Sequence, residues 1–183
     1  MLQKTLLRRI ILGRTLPPST ASPDADFPFM NKTRLVETLK AELTRQYERA
    51  VAALTGSREA ATGTDTRAEN KYDTRGLEAS YLAAGQAGQA DEILRAISLL
   101  EMFEVRDFDF DDPIDSGALI EVEKDDEILY YLLAPAGGGL VITSDTGEEV
   151  TVLGPGSPLS RNLLGKTAGT VLTDPDLMIL EVF

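Results

Sequence analysis

Residues 31–54 read NKTRLVETLKAELTRQYERAVAAL, and the spacing of their apolar members decides the first half of the fold. Val36, Leu39, Leu43, Tyr47, Ala50 and Leu54 recur at steps of three and four, which lays them along one stripe of an amphipathic helix. Asn31 stands just before the stripe, where a side-chain oxygen can cap the first free amides. The stripe ends at Thr55-Gly56-Ser57, and residues 61–66 (ATGTDT) favour turns over helix interiors. The chain is therefore expected to reverse within 56–66.

A second helical stretch follows, carrying Leu77, Tyr81, Ala84, Leu94, Ile97 and Leu100. Gly85 and Gly88 offer it small surfaces against which a neighbouring helix could come close. Two long helices joined by a short turn predict an antiparallel hairpin, a short coiled coil, over 30–105. A helix of about 28 residues would be roughly 42 Å long, a rod rather than part of a small globule.

After Phe103 the period changes from 3.6 to two. Residues 118–122, 128–133, 139–143, 150–153 and 177–183 read as strands, with turns at Asp125-Asp126, Ala136-Gly137-Gly138 and Thr146-Gly147. One short helix is expected around Pro158–Leu164. The fold class is thus α+β: a helical hairpin over 30–105, then a small antiparallel β-rich domain over 106–183.

Composition removes several function classes. The chain has no His and no Cys, so neither a Ser-His-Asp triad, a Cys-His pair nor the usual zinc sites can be built from it. Any metal it holds must be a hard cation on oxygen ligands. A formal charge of −12 argues against a broad phosphate-binding surface. The acidity is concentrated in 106–183, whose only cations are Arg106, Lys124, Arg161 and Lys166.

Residues 1–29 hold the apolar run Leu6-Leu7-Arg8-Arg9-Ile10-Ile11-Leu12, too short to span a membrane and broken by two arginines. They read as a flexible extension or a mis-assigned start, and the chain as cytoplasmic. Asp107, Asp109, Asp111, Asp112 and Asp115 crowd together without the mid-run Gly or the terminal Glu of an EF-hand loop. That run reads as a charged linker that sets the hinge between rod and β domain.

Within 157–171, Ser157-Pro158, Leu163, Gly165-Lys166 and Gly169 resemble the C-terminal signature of the GreA/GreB transcript-cleavage factors. Thr170 departs from it, since the family usually has Asp there. Helix punctuation accounts for part of the match: Ser157 as N-cap, Pro158 as first helical residue, Gly165 as C-terminal cap. The order of parts, a rod and then a β meander ahead of the signature, carries the rest.

The resemblance implies an FKBP-like C-terminal domain and RNA polymerase as partner, with Ser157, Pro158, Arg161, Gly165 and Lys166 at the contact. It implies a monomer that is no enzyme by itself but stimulates the polymerase's own cleavage of backtracked RNA. In that family the hairpin enters the secondary channel and brings an acidic tip, Gly-Asp-Leu-Ser-Glu-Asn-Ala-Glu-Tyr, beside the active-site Mg²⁺ and the nascent RNA. No tightly bound cofactor is implied, only Mg²⁺ shared with the polymerase.

Two stretches match that tip. Asp65 with Glu69-Asn70 is the first, although three residues separate its acids where the family has two. Asp73 and Glu78 flank Leu77 in the second, where Tyr81-Leu82-Ala83-Ala84 fits the family's continuation. Both registers stay open, so Asp65, Glu69, Asp73 and Glu78 are all candidate catalytic and metal-holding residues. Thr66 to Glu69 also reads as a capping box. Arg67, Lys71 and Arg75 form a candidate RNA-facing basic patch or a solvated face. Tyr72 and Tyr81 read as packing residues.

Overall fold

A computed structural model describes residues 30–62, 75–109 and 111–183 of the chain. The first helix, α1, spans Lys32–Thr62. Asn31 caps it as expected: its Oδ1 accepts the Arg34 amide at 3.0 Å, and its carbonyl accepts the Leu35 amide at 3.0 Å. The helix does not stop at Gly56. A glycine costs a helix only about 1 kcal/mol against alanine, and Arg58, Glu59 and Ala60 beyond it are good helix formers. The reversal expected in 56–66 is therefore absent from 56–62, and residues 63–66 lie outside the described residues.

The second helix, α2, spans Arg75–Glu101. Ser57 Oγ donates to Gln86 Oε1 at 2.6 Å partway along the pair, while Leu35, Val36, Leu39 and Leu43 share a core with Leu100 at the other end. The two helices are thus antiparallel, about 46 and 40 Å long at 1.5 Å per residue.

Their seam differs from the expected stripe. On α2 the described residues that are buried or half-buried are Ala83, Gln86, Ala87, Ala90, Ile93, Ala96, Ile97 and Leu100. Leu77, Tyr81 and Leu94 face outward at 55, 70 and 46% exposure, so Tyr81 is not a packing residue. A two-helix pair has one covered face, and alanines let the partner backbone approach. The two glycines do not serve that end: a Cβ on Gly85 or Gly88 would meet nothing within 4 Å.

Residues 119–182 form one six-stranded sheet: β1 (Leu119–Lys124), β2 (Glu127–Leu133), β3 (Val141–Thr143), β4 (Glu149–Leu153), β5 (Val171–Thr173) and β6 (Asp176–Val182), in the order β3-β4-β2-β1-β6-β5. The β1–β2 hairpin turns through Asp125 and Asp126, both at positive φ (52° and 64°), the geometry of a tight two-residue turn. The sheet is not wholly antiparallel, because β4 pairs with β2 in parallel. After β2 the chain travels through 134–140 to the outer position, and the β3–β4 hairpin then returns β4 into the space beside β2.

Alternation along the strands divides the core in two. Leu119, Tyr130, Leu132, Val150 and Val152 face the base of the helix pair, against Leu35, Val36, Leu39, Leu43 and Leu100. Ile120, Val122, Leu133, Leu153, Ile179 and Val182 face the other way, covered by Phe108, Ile114 and Leu163 of a short helix, α3 (Pro158–Leu163). Rod and sheet therefore share a hydrophobic core.

The acidic run, expected as a charged linker that sets the hinge, is docked onto the β domain. Phe108 and Ile114 are buried, and Ile114 exchanges backbone hydrogen bonds with the turn after α3: its amide donates to the Lys166 carbonyl at 2.7 Å, and the Gly165 amide donates to its carbonyl at 2.8 Å. Apolar residues interleaved with the aspartates are what hold it down.

Candidate functional site

Two regions of the sequence carry the residues singled out from it. The start of α1 is fixed to the sheet, so its other end, Thr62, stands at the end of the rod away from the β domain. Asp65, Glu69 and Asp73, with Arg67, Lys71 and Tyr72, lie outside the described residues. Glu78 is described, exposed in the first turn of α2, where the helix dipole favours an acid.

Oxygen donors of this kind suit a hard cation such as Mg²⁺. Among the described residues, no group of three or more Asp or Glu stands close enough to hold a metal. Glu78 alone is no site.

The second region is the turn-helix-turn around α3. Ser157 is extended (φ −66°, ψ 132°) and half-buried, and its Oγ accepts the Ser160 amide at 3.4 Å; Pro158 opens the helix. Ser160 and Leu163 point inward, which turns Pro158, Arg161, Asn162 and Leu164 to solvent. Gly165 follows the helix at φ +74°, a conformation that an L side chain resists, although open space surrounds it. Lys166 is exposed beside it.

Ser157 thus caps the helix with its side chain and Gly165 ends it through its backbone conformation, whereas Pro158, Arg161 and Lys166 are exposed. Asn162, not singled out in the sequence, fastens the neighbouring β5–β6 turn by donating from Nδ2 to the Asp174 carbonyl at 2.9 Å. Val171 is exposed on the edge strand β5.

Elsewhere, a groove runs between the start of α1 and the β3–β4 turn, lined by Arg34, Glu37, Thr38, Ala41, Ser144 and Asp145. The Arg34–Asp145 ion pair, at 3.6 Å, spans it. No helix among the described residues is long and apolar enough to cross a membrane.

No protein-family model matches the chain, and no curated protein does. Among solved structures the chain is similar to GreA factor homolog 1 (Gfh1) of Thermus thermophilus, with 21% identity, 79% of this chain and 94% of that one covered, and a TM-score of 0.31. It is similar also to a second structure of the transcription factor Gfh1 (21% identity, 80% and 92% covered, TM-score 0.32). Gfh1 of Thermus aquaticus shows 16% identity, 80% and 94% coverage and a TM-score of 0.31.

Proposed function

We propose that the protein is an RNA polymerase accessory factor whose helix pair enters the enzyme's secondary channel and stimulates cleavage of backtracked RNA. The observation that carries this reading is the layout. A pair of helices roughly 40 Å long stands on a small β domain, its far end leads into the acid-bearing stretch that resembles the GreA/GreB tip, and the resembling signature is exposed around α3.

In this reading the chain's contribution is delivery and orientation. The α3 surface, with Arg161 and Lys166 set in an otherwise acidic domain, holds the polymerase, and the rod fixes how far the tip reaches. Asp65 with Glu69, or Asp73 with Glu78, bring carboxylate oxygens to the polymerase's catalytic centre. A second Mg²⁺ bound there supplies hydroxide at neutral pH and steadies the leaving oxygen.

The test is to add the protein with Mg²⁺ to stalled, backtracked elongation complexes carrying end-labelled RNA. Shortened transcripts that can be re-extended support the reading, and no effect on the RNA or on its synthesis overturns it.

One observation favours a second reading. The three-residue gap between Asp65 and Glu69, where the family has two, suits a protein that occupies the channel without promoting cleavage. Intact RNA with slowed synthesis is its signature in the same experiment.

A further inference from the structure

Lys32 breaks two rules at once. It is the first residue of α1, where the helix dipole disfavours a cation, and its side chain is only 8% exposed, where burial disfavours any charge. Desolvation, the largest influence on it, holds its pKa below the usual lysine value, partly offset by Asp107. Residues that break local rules and persist are where a structure has a use for them.

The surroundings show what Lys32 holds. Its Nζ donates to the Arg106 carbonyl, lies 3.8 Å from Asp107 Oδ1 and sits 5.1 Å from the centre of the Phe108 ring. The Arg106 guanidinium lies 3.8 Å from the same ring centre and reaches Asp112 at 3.8 Å. Asp112 in turn accepts the Asp109 amide at 3.1 Å. Residues 106–109 and 111–112 belong to the crossover from α2 towards the sheet, and Phe108 among them belongs to the core on the face of the sheet opposite the rod.

We propose that Lys32 is a positioning residue: it fixes the direction of the helix pair against the β domain by tying the first turn of α1 to that crossover. The core between rod and sheet supplies adhesion, but apolar contact is non-directional and tolerates rotation. A hydrogen-bonded, ring-stacked cation is directional. Joined to Phe108, it gives the rod a second fixed point on the far side of the sheet. The inference is independent of the polymerase reading and is tested without polymerase.

The chain has no Cys, so two can be introduced for spin labels in the full-length protein: Glu48→Cys, exposed on α1, and Glu127→Cys, exposed at the start of β2. Interspin distances are measured in this background and with Lys32→Met or Lys32→Arg added, beside thermal unfolding of each. Removing one member of a buried ion pair destabilises when it strands the other charge in the interior, but Asp107 is fully exposed, so Lys32→Met removes the desolvation cost of the ammonium and leaves no buried charge behind. The Met variant is therefore expected to unfold at or above the parent temperature while its distance distribution widens at least twofold. The Arg variant is expected to stay narrow. A Met variant as narrow as the parent overturns the proposal, and so does an Arg variant as wide as the Met variant. Lys32→Gln, judged by the same widths, replaces the Met variant if that one fails to fold.

Discussion

Gly137 lies against Leu39: a Cβ on Gly137 would stand 2.8 Å from Leu39 Cδ1 and 3.3 Å from Cδ2 and Cγ. This contact joins the loop after β2 to the first helix, and Leu39 is fully buried. Gly137 also holds φ +79°, which L side chains adopt only under strain. Gly137→Ala therefore faces both a steric and a backbone penalty. It should cost about 2–4 kcal/mol, read as a lowered urea midpoint with an unchanged slope. Leu39→Ala alone should cost about 2–5 kcal/mol. The double variant should lose less than the sum, since the smaller side chain relieves the clash.

At the start of α1, the Asn31 side chain satisfies an amide that otherwise has no helical partner. Asn31→Ala should destabilise by about 1 kcal/mol, and Asn31→Ser or Asn31→Asp should restore most of it. Thermal unfolding of the three variants checks the order.

The start of α1 was legible in the sequence because a cap and a stripe of large residues signal the same thing from Asn31 to Leu54. The seam of α2 was not. Leu77, Tyr81 and Leu94 have helical spacing and catch the eye, but the covered face is built largely from Ala83, Ala87 and Ala90, which a search for large apolar residues passes over. Strand positions were legible from alternation within a residue or two. The parallel pairing of β2 and β4 was not, because alternation reports which face a residue occupies and says nothing of strand direction. Strand β5, three residues of which none is buried, carried too little pattern to be seen.

At the α3 surface, the sequence marked the helix punctuation but could not show that Ile114 braces Gly165 and Lys166 from the acidic crossover. The role of Lys32 was hidden for a different reason. A lysine at a helix start is read as solvated, and only its position against the dipole hints otherwise.

Arg161 and Lys166 are exposed, and no hydrogen bond or ion pair among the described residues ties either side chain into the fold. Arg161→Ala with Lys166→Ala should shift stability by less than about 0.5 kcal/mol, as surface substitutions usually do. On the proposed function the same pair weakens binding to RNA polymerase and flattens its salt dependence. Titration of labelled polymerase at two ionic strengths checks this, and unchanged affinity would move the contact elsewhere on the domain.

Asp65, Glu69, Asp73 and Glu78, changed together to Ala, should leave the unfolding of the sheet domain unaltered; Glu78, the one of the four that is described, is exposed in the first turn of α2 and belongs to neither core. Transcript shortening in backtracked complexes should fall to the level seen without the factor, while slowed synthesis from channel occupancy persists. Restoring either Asp65 with Glu69 or Asp73 with Glu78 then identifies the working pair, since only the correct register brings carboxylates to the metal. Recovery with neither pair alone would mean that acids from both registers act together.

Stability should respond to pH at both ends of the range. Glu42 has its pKa lowered, chiefly by hydrogen bonds from Arg45 and then Gln46, with a smaller share from Arg49. A depressed carboxylate contributes stability that is present above its unfolded pKa and lost as pH falls through the folded one. Glu42→Gln should therefore reduce the loss of stability below about pH 4 without changing it near neutrality beyond the value of an exposed pair. At alkaline pH the two shifted groups oppose each other. Burial lowers the pKa of Lys32, so from that lowered value up to the ordinary lysine range the unfolded chain binds more protons, and stability rises with pH. Burial raises the pKa of Tyr131, so above about pH 10 the unfolded chain loses a proton that the folded one keeps, and stability falls. Tyr131→Phe should abolish that fall while leaving the preceding rise, as measured by chemical denaturation across pH 8–11; a fall of equal size in the Phe variant would assign it to another group.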